Sequence, residues 1–298
     1  MGDRRVVLAG ASGLIGSALA ASLRADGVSV TRLVRRPPSA PDEAQWRPGE
    51  QDLDPAVIAG AVAVVGLSGA SVGRFPWTGA YRDELRRSRI EPTRTLATAI
   101  RSLGTDAPAL VNASAVGVYG TSGRGVTEAT PAGDTFLATL CVAWEREARD
   151  AGPHARVVLL RTAPVVHADG VLKPLVLLTR LGLSGPIGRG TQVWPWISLA
   201  DEVRAIRHLI DTDADGPVNL TGPTRATAND LGFALARRLN RPYLLRAPAW
   251  ALRAVLGAAA TEALLTCDVE AVPAALTASG FAFMHPTVED AVAAAVPA

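Results

Sequence analysis

Val6-Val7-Leu8-Ala9-Gly10-Ala11-Ser12-Gly13-Leu14-Ile15-Gly16 is an apolar run that meets three glycines at spacing i, i+3, i+6 and continues as Ser17-Ala18-Leu19-Ala20-Ala21-Ser22-Leu23. The pattern predicts a strand, a tight turn and a helix. Gly10 permits the turn, Gly13 lets a pyrophosphate approach the backbone, and Gly16 lets helix and strand pack closely. The amides and dipole at the helix start then face the anion, which makes Gly10, Ser12, Gly13, Leu14 and Ile15 candidate nucleotide contacts. Three glycines alone also describe a Gly-rich turn in an ordinary α/β protein. Position separates the two readings: the motif begins directly after Asp3-Arg4-Arg5, and a second apolar segment, Val28 to Val34, follows where a βαβ unit needs it.

Beyond that segment, Arg35-Arg36-Pro37-Pro38 closes the second strand. Folds that prefer NAD place an acid here for the ribose hydroxyls, whereas this chain has no carboxylate until Asp42. A 2′-phosphate suits Arg35 and Arg36; the alternative is that both cap a strand in solvent. Asp54-Pro55 begins a short helix. Ala61 to Gly69, Ala109 to Ala115 and Arg156 to Arg161 read as buried parallel strands, separated by helical patterns over Trp77 to Arg101, with a possible break at Pro92, and over Phe136 to Ala151. This alternation predicts a doubly wound α/β sheet, with Val116 to Gly120 as a loop leaving a strand's carboxyl end, where ligands sit. Past Pro164 the chain is rich in loops and aromatics. A helix over Ile197 to Thr212, a strand near Pro217, a capping box at Thr227 and Asp230, and a helical module from Pro248 to Val296 follow.

The 298 residues, 48% hydrophobic and 19% charged, suffice for one large domain or two ordinary ones. A net charge of +2, spread along the chain, gives no reason to expect nucleic acid or a membrane surface as partner. The two cysteines, Cys141 and Cys267, sit far apart in apolar helical contexts, as buried thiols of a reducing, cytoplasmic protein would. No metal-ligand spacing occurs. The N-terminal apolar stretch is a strand and turn rather than a signal-peptide core, and Arg253 interrupts the most apolar window, Ala247 to Ala260.

Several stretches in order resemble the extended and atypical short-chain dehydrogenase/reductases, specifically the bacterial epimerase-family oxidoreductases with a C-terminal helical module. They are Gly10 to Gly16, Leu67-Ser68-Gly69, Ser88-Arg89, Ser114 to Gly120, Phe136-Leu137-Ala138 with Cys141 and Trp144-Glu145, Gly188 to Gln192, and Gly280 to Phe283. The resemblance covers nearly the whole chain. It implies a Rossmann domain over 1–165 that binds NADP(H), with Arg35, Leu67, Ser68, Glu84 and Arg89 at positions matching the family's cofactor contacts. Residues 166–298 are then a substrate-binding region with the helical module, some segments of which return to the first domain. Relatives usually carry Asn where Gly66 stands, an acid where Ala70 stands and His where Ser198 stands.

Short-chain reductases commonly move the proton with a tyrosine whose pKa is lowered by a lysine four residues later. Tyr81, Tyr119 and Tyr243 are followed at that spacing by Leu85, Gly123 and Ala247, and Lys173 is the only lysine. Alignment on Trp144-Glu145 puts the usual pair near Leu137 and on Cys141. Ser114 and Tyr119 remain as candidate catalytic groups, with local structural roles as the alternative. Gln192, Trp194 and Trp196 either line an apolar substrate pocket or pack a loop onto the domain junction. The leading expectation is an NADPH-dependent oxidoreductase of a small, largely apolar molecule. An isomerase, cyclase or lyase with a structural or absent nucleotide, and a non-catalytic NADP(H) sensor, are the alternatives.

Overall fold

The computed structural model describes residues 4–297. Its strands are β1 (Arg5–Ala9), β2 (Ser29–Val34), β3 (Glu43–Gln45), β4 (Ala63–Gly66), β5 (Ala109–Ala115), β6 (Ser122–Val126), β7 (Val157–Thr162), β8 (Val165–Val166), β9 (Ile197–Ser198), β10 (Gly216–Leu220) and β11 (Asp268–Ala271). The helices are α1 (Leu14–Ala25), α2 (Gly79–Ser102), α3 (Phe136–Arg149), α4 (Leu172–Arg180), α5 (Leu199–Asp211), α6 (Ala228–Arg238), α7 (Ala249–Leu256), α8 (Ala258–Leu264), α9 (Ala274–Ala278) and α10 (Val288–Ala295).

Seven parallel strands form the central sheet in the order β10-β7-β5-β4-β1-β2-β3. Its central strands are apolar on both faces because both are covered. Leu19 and Leu23 of α1 and Ile206 and Leu209 of α5 join one core cluster, while Leu96 and Ile100 of α2 and Ala148 of α3 join the opposite one. The chain runs outward from β1 through β2 to β3, then returns to β4 on the other side of β1. That reversal opens a crevice at the carboxyl ends of β1 and β4, where Ala9 pairs with Gly66 and the Leu67 amide donates to the Ala9 carbonyl at 2.9 Å.

Three features depart from the sequence expectations. The helix over residues 79–102 runs through Pro92 instead of breaking, and the proline ring is buried, so packing offsets the lost backbone bond. Strand β3 lacks the apolar run that marks its neighbours. The C-terminal module is not purely helical: β11 pairs in parallel with β6, a Gly-containing strand without alternation. Both exist through strand pairing, β3 with the preceding β2 and β11 with the distant β6, which periodicity within the segment does not register. The capping box at Thr227 and Asp230 forms as its residues predict, and Thr287 with Asp290 makes a second one.

Candidate functional site

At the crevice, Gly10 adopts φ +85°, and a Cβ there would lie 2.7 Å from the Leu67 carbonyl carbon and oxygen. A Cβ on Gly16 would lie 2.2 Å from the Gly10 carbonyl oxygen, so these two positions are closed to any side chain. Gly13 differs. It is the N-cap of α1 in ordinary extended backbone, and the helix start has no side-chain cap and no acidic residue in its first turn. Ser12 and Gly13 are exposed, and the first amides of α1, including those of Leu14 and Ile15, point out of an uncapped end.

The end of β2 shows a division of labour among arginines. Arg36 forks onto Glu43 at 2.8 and 2.7 Å, and Ser39 donates to the same carboxylate, holding it down at about 2. Arg32 takes Asp42 at 3.0 and 2.9 Å, with Arg24 also paired to it. Both nearby carboxylates are therefore committed. Arg35 is exposed and its side chain has no hydrogen-bond or ion-pair partner among the described residues.

Across the crevice, α2 holds the turn that follows β4. Ser88 Oγ accepts from the Ala70 amide at 2.9 Å, and Arg89 donates to the Leu85 and Ala70 carbonyls at 3.0 Å each. The Arg89 guanidinium, its pKa lowered by burial, lies 5.2 Å over the Trp144 ring. Leu67 and Ser68 form the turn itself, and Glu84 is half-exposed beside Arg87. A side chain at Gly66 would lie 2.4 Å from Asn112 Oδ1, so an asparagine from β5 fills the space beside this glycine.

The β5 to β7 junction is closed. Buried Ser114 donates to Glu145 Oε1 at 2.7 Å, and Arg161 forks onto Glu145 at 2.9 and 3.0 Å. Arg161 also donates to the Tyr119 hydroxyl at 3.0 Å, and that hydroxyl donates to Asn219 Oδ1 at 2.6 Å. Tyr119 is 5% exposed, and burial, opposed by Arg161, raises its pKa. The hydroxyl expected to face a ligand is thus turned into the protein, because β7 supplies a buried cation that needs an acceptor. Leu137 packs over Gly117, and burial pushes the Cys141 thiol up to about 12, beside Glu145, Arg89 and Ser114. Glu145 entered the sequence reading only as part of the Trp144-Glu145 motif, and no role was given to Glu145, Arg161 or Asn219. A charged residue inside the apolar run Val157 to Thr162 was the available signal, since a buried arginine requires a partner.

Gln192, Trp194 and Trp196 are all buried, but they do not share one pocket. The two indoles line a small cavity of about 60 Å³, and each ring nitrogen donates to a backbone carbonyl, Leu265 at 3.1 Å and Thr224 at 3.0 Å. Trp196 also fills the space above Gly222. Gln192 lines a different cavity. At Ser198, His285 brings an imidazole to 2.9 Å from the hydroxyl, which also donates to Asp201. Glu202 next to it is fully buried, and burial pushes it up to about 8. Among the described residues no cluster of three metal-ligating side chains occurs, and no helix is long and apolar enough to cross a membrane.

Residues 6–221 match the profile of the NAD dependent epimerase/dehydratase family. The chain belongs to that family. Residues 247–295 match a domain of unknown function, DUF1731, which includes α7 to α10. The chain is 44% identical over 296 residues to an epimerase family protein of Mycobacterium bovis, covering 98% of this chain and 97% of the relative. It is 33% identical to epimerase family protein SDR39U1 of Bos taurus, covering 95% and 96%. The crystal structure of human SDR39U1 with NADPH superposes with a TM-score of 0.87 at 29% identity, covering 98% of each chain.

Proposed function

We propose that the chain is an NADPH-dependent oxidoreductase that acts on a small, largely apolar substrate without a tyrosine-lysine pair. The observation that carries the cofactor choice is the partner-free Arg35 at the end of β2, beside two carboxylates already tied up by other arginines. The uncapped α1 start fits a pyrophosphate, and the human relative was crystallised with NADPH. Gly10, Ser12, Gly13, Leu14, Ile15, Leu67, Ser68, Glu84 and Arg89 would hold the dinucleotide, with Arg35 at the 2′-phosphate and Arg36 keeping Glu43 away from it. NADPH, when bound, would supply a hydride.

The protein's own part is orientation and exclusion of water. Trp77, Leu85, Leu140 and Ala260, flanked by Phe136, Leu137 and Leu264, form an apolar cluster that joins α2, α3 and α8 and favours an apolar reactant. Arg89 keeps a partly buried positive charge beside Cys141, on the side where the family's lysine would stand. Ser114 and Tyr119 hold the frame, and solvent or an acidic group of the substrate supplies the proton. A sensor without turnover is the second reading, favoured by the inward commitment of both hydroxyls.

Calorimetry with NADPH and NADH tests the assignment. NADPH is expected to bind about 10- to 100-fold more tightly, with most of that preference lost in Arg35→Ala. Equal affinities in the parent protein would end the NADPH reading. Oxidation of NADPH with a panel of carbonyl, imine and enone compounds then separates enzyme from sensor.

A further inference from the structure

A cavity of about 260 Å³ beside the start of α7 plays no part in the reading above. Arg189, Arg246 and Arg253 line it, and no carboxylate does. Arg189 pairs with Asp268 at 2.9 Å and Arg253 with Glu262 at 3.2 Å, both through side chains that remain largely exposed. Arg246 has no hydrogen-bond or ion-pair partner among the described residues. Ala249, the first residue of α7, is on the wall, and that helix has no side-chain cap and no acidic residue in its first turn. Three guanidiniums and a helix start give the cavity a positive potential.

Gln192 supplies the independent observation. Its side chain is 1% exposed, and Nε2 donates to the Ile187 and Leu265 carbonyls at 2.9 and 3.0 Å. Two carbonyl acceptors fix the amide orientation, because only its nitrogen can donate twice. Oε1 is then buried with no partner. A buried acceptor of this kind calls for a donor, and a bare anion has none to give.

We propose that this cavity binds a small oxyanion that carries a hydroxyl, a phosphate monoester or a hydroxycarboxylate. Arg246 and Arg253 grip the anionic group, and Gln192 Oε1 accepts a hydrogen bond from the hydroxyl. Arg189 adds charge while remaining tied to Asp268. The cavity shares no residue with the glycine turn, so the site does not depend on the nucleotide reading.

Calorimetric titration of the full chain at low salt, with glycerol 3-phosphate and separately with citrate, tests this. One of the two is expected to bind at a stoichiometry of one with a Kd below about 1 mM. Tighter glycerol 3-phosphate identifies the phosphate class, and tighter citrate the carboxylate class. The double variant Arg246→Ala/Arg253→Ala is expected to weaken that binding at least about tenfold, and Arg149→Ala, at an exposed site on α3, to leave it unchanged. The hydroxyl-free partner of the tighter ligand, propyl phosphate or propane-1,2,3-tricarboxylate, should bind about tenfold more weakly. NADPH at saturation should leave the anion affinity as it was, which excludes an anion seated on the glycine turn. Failure of NADPH to bind would sink the cofactor assignment alone. Absence of binding by both anions, unchanged affinity in the double variant, or displacement by NADPH would overturn the proposal.

Discussion

At the glycine turn the first amides of α1 lack a cap and Arg35 lacks a partner, whereas at the β5 to β7 junction every side-chain polar atom of Ser114, Glu145, Arg161 and Tyr119 is engaged within the protein. Both regions sit at the carboxyl edge of the same sheet and both resemble functional positions in sequence. The difference teaches how to sort them. Polar groups left unmet in a folded chain point to a ligand, while a saturated network holds a frame, because breaking it strands a buried charge.

Gly13→Val probes the open region, and its effect should be the largest. Gly13 has φ −77°, which any residue adopts, and a Cβ there meets only the Gly10 carbonyl oxygen at 3.4 Å. The variant is expected to fold, with circular dichroism as the check, and to lose NADPH binding by more than about 100-fold, since its side chain stands where the pyrophosphate approaches. Parent-like affinity would make the turn purely structural and erase the contrast.

Arg161→Met breaks the closed region. It leaves the Glu145 carboxylate buried without its fork, at a cost of about 3 to 5 kcal/mol in urea unfolding. Adding Glu145→Leu should restore part of that loss, because two apolar groups strand no charge. A loss below about 1 kcal/mol would mean that the network is not structural.

How far the sequence carried differs between the same two regions. The turn was legible residue by residue, since its chemistry rests on local backbone: Gly10 and Gly16 meet atoms of the turn and of the adjoining β4 end, as their spacing implies. The junction was not. Glu145 lies on α3, Arg161 on β7 and Asn219 on β10, and only the strand order brings them together. Tyr119 and Ser114 were visible as polar groups at a strand end, but the direction of their hydroxyls depends on those three distant partners. Gln192, Trp194 and Trp196 lie two residues apart, a spacing that would put them on one face of a regular extended segment, yet they divide between two cavities, so the split follows from the path of this irregular loop and not from local periodicity.

Glu202 is the exception inside the closed region and sharpens the comparison by pH. Thr162 donates to its Oε1 at 2.8 Å, but Oε2 is buried without a partner, and burial pushes the carboxyl up to about 8. The folded chain therefore holds a proton that the unfolded chain releases near the ordinary carboxylate value. The stability this proton contributes is complete below that value and is lost as pH rises toward 8, with a slope of at most about 1.4 kcal/mol per pH unit. Glu202→Gln keeps the neutral shape, so its unfolding free energy should vary less between pH 5 and 8 and exceed the parent's by about 1 to 3 kcal/mol at pH 8. Parallel pH profiles for the two proteins would place the ionised form of Glu202 in the fold.

Tyr119→Phe should have the smallest effect on turnover, and it separates frame from chemistry most directly. The hydroxyl donates to Asn219 and accepts from Arg161, so its removal leaves an amide oxygen short of a donor and one guanidinium nitrogen with only the Glu128 carbonyl. That costs about 1 to 2 kcal/mol of stability, well short of the Arg161→Met loss, because no charge is stranded. General-acid assistance contributes about 10²- to 10⁴-fold, so a tyrosine that protonated the reacting oxygen would show a loss of that order in kcat. With the hydroxyl turned away from the crevice, kcat for any substrate that oxidises NADPH should fall less than about threefold once the folded fraction is accounted for. A hundredfold drop would mean that the side chain turns outward during turnover, and the saturated junction would then be a resting state of the site rather than its frame.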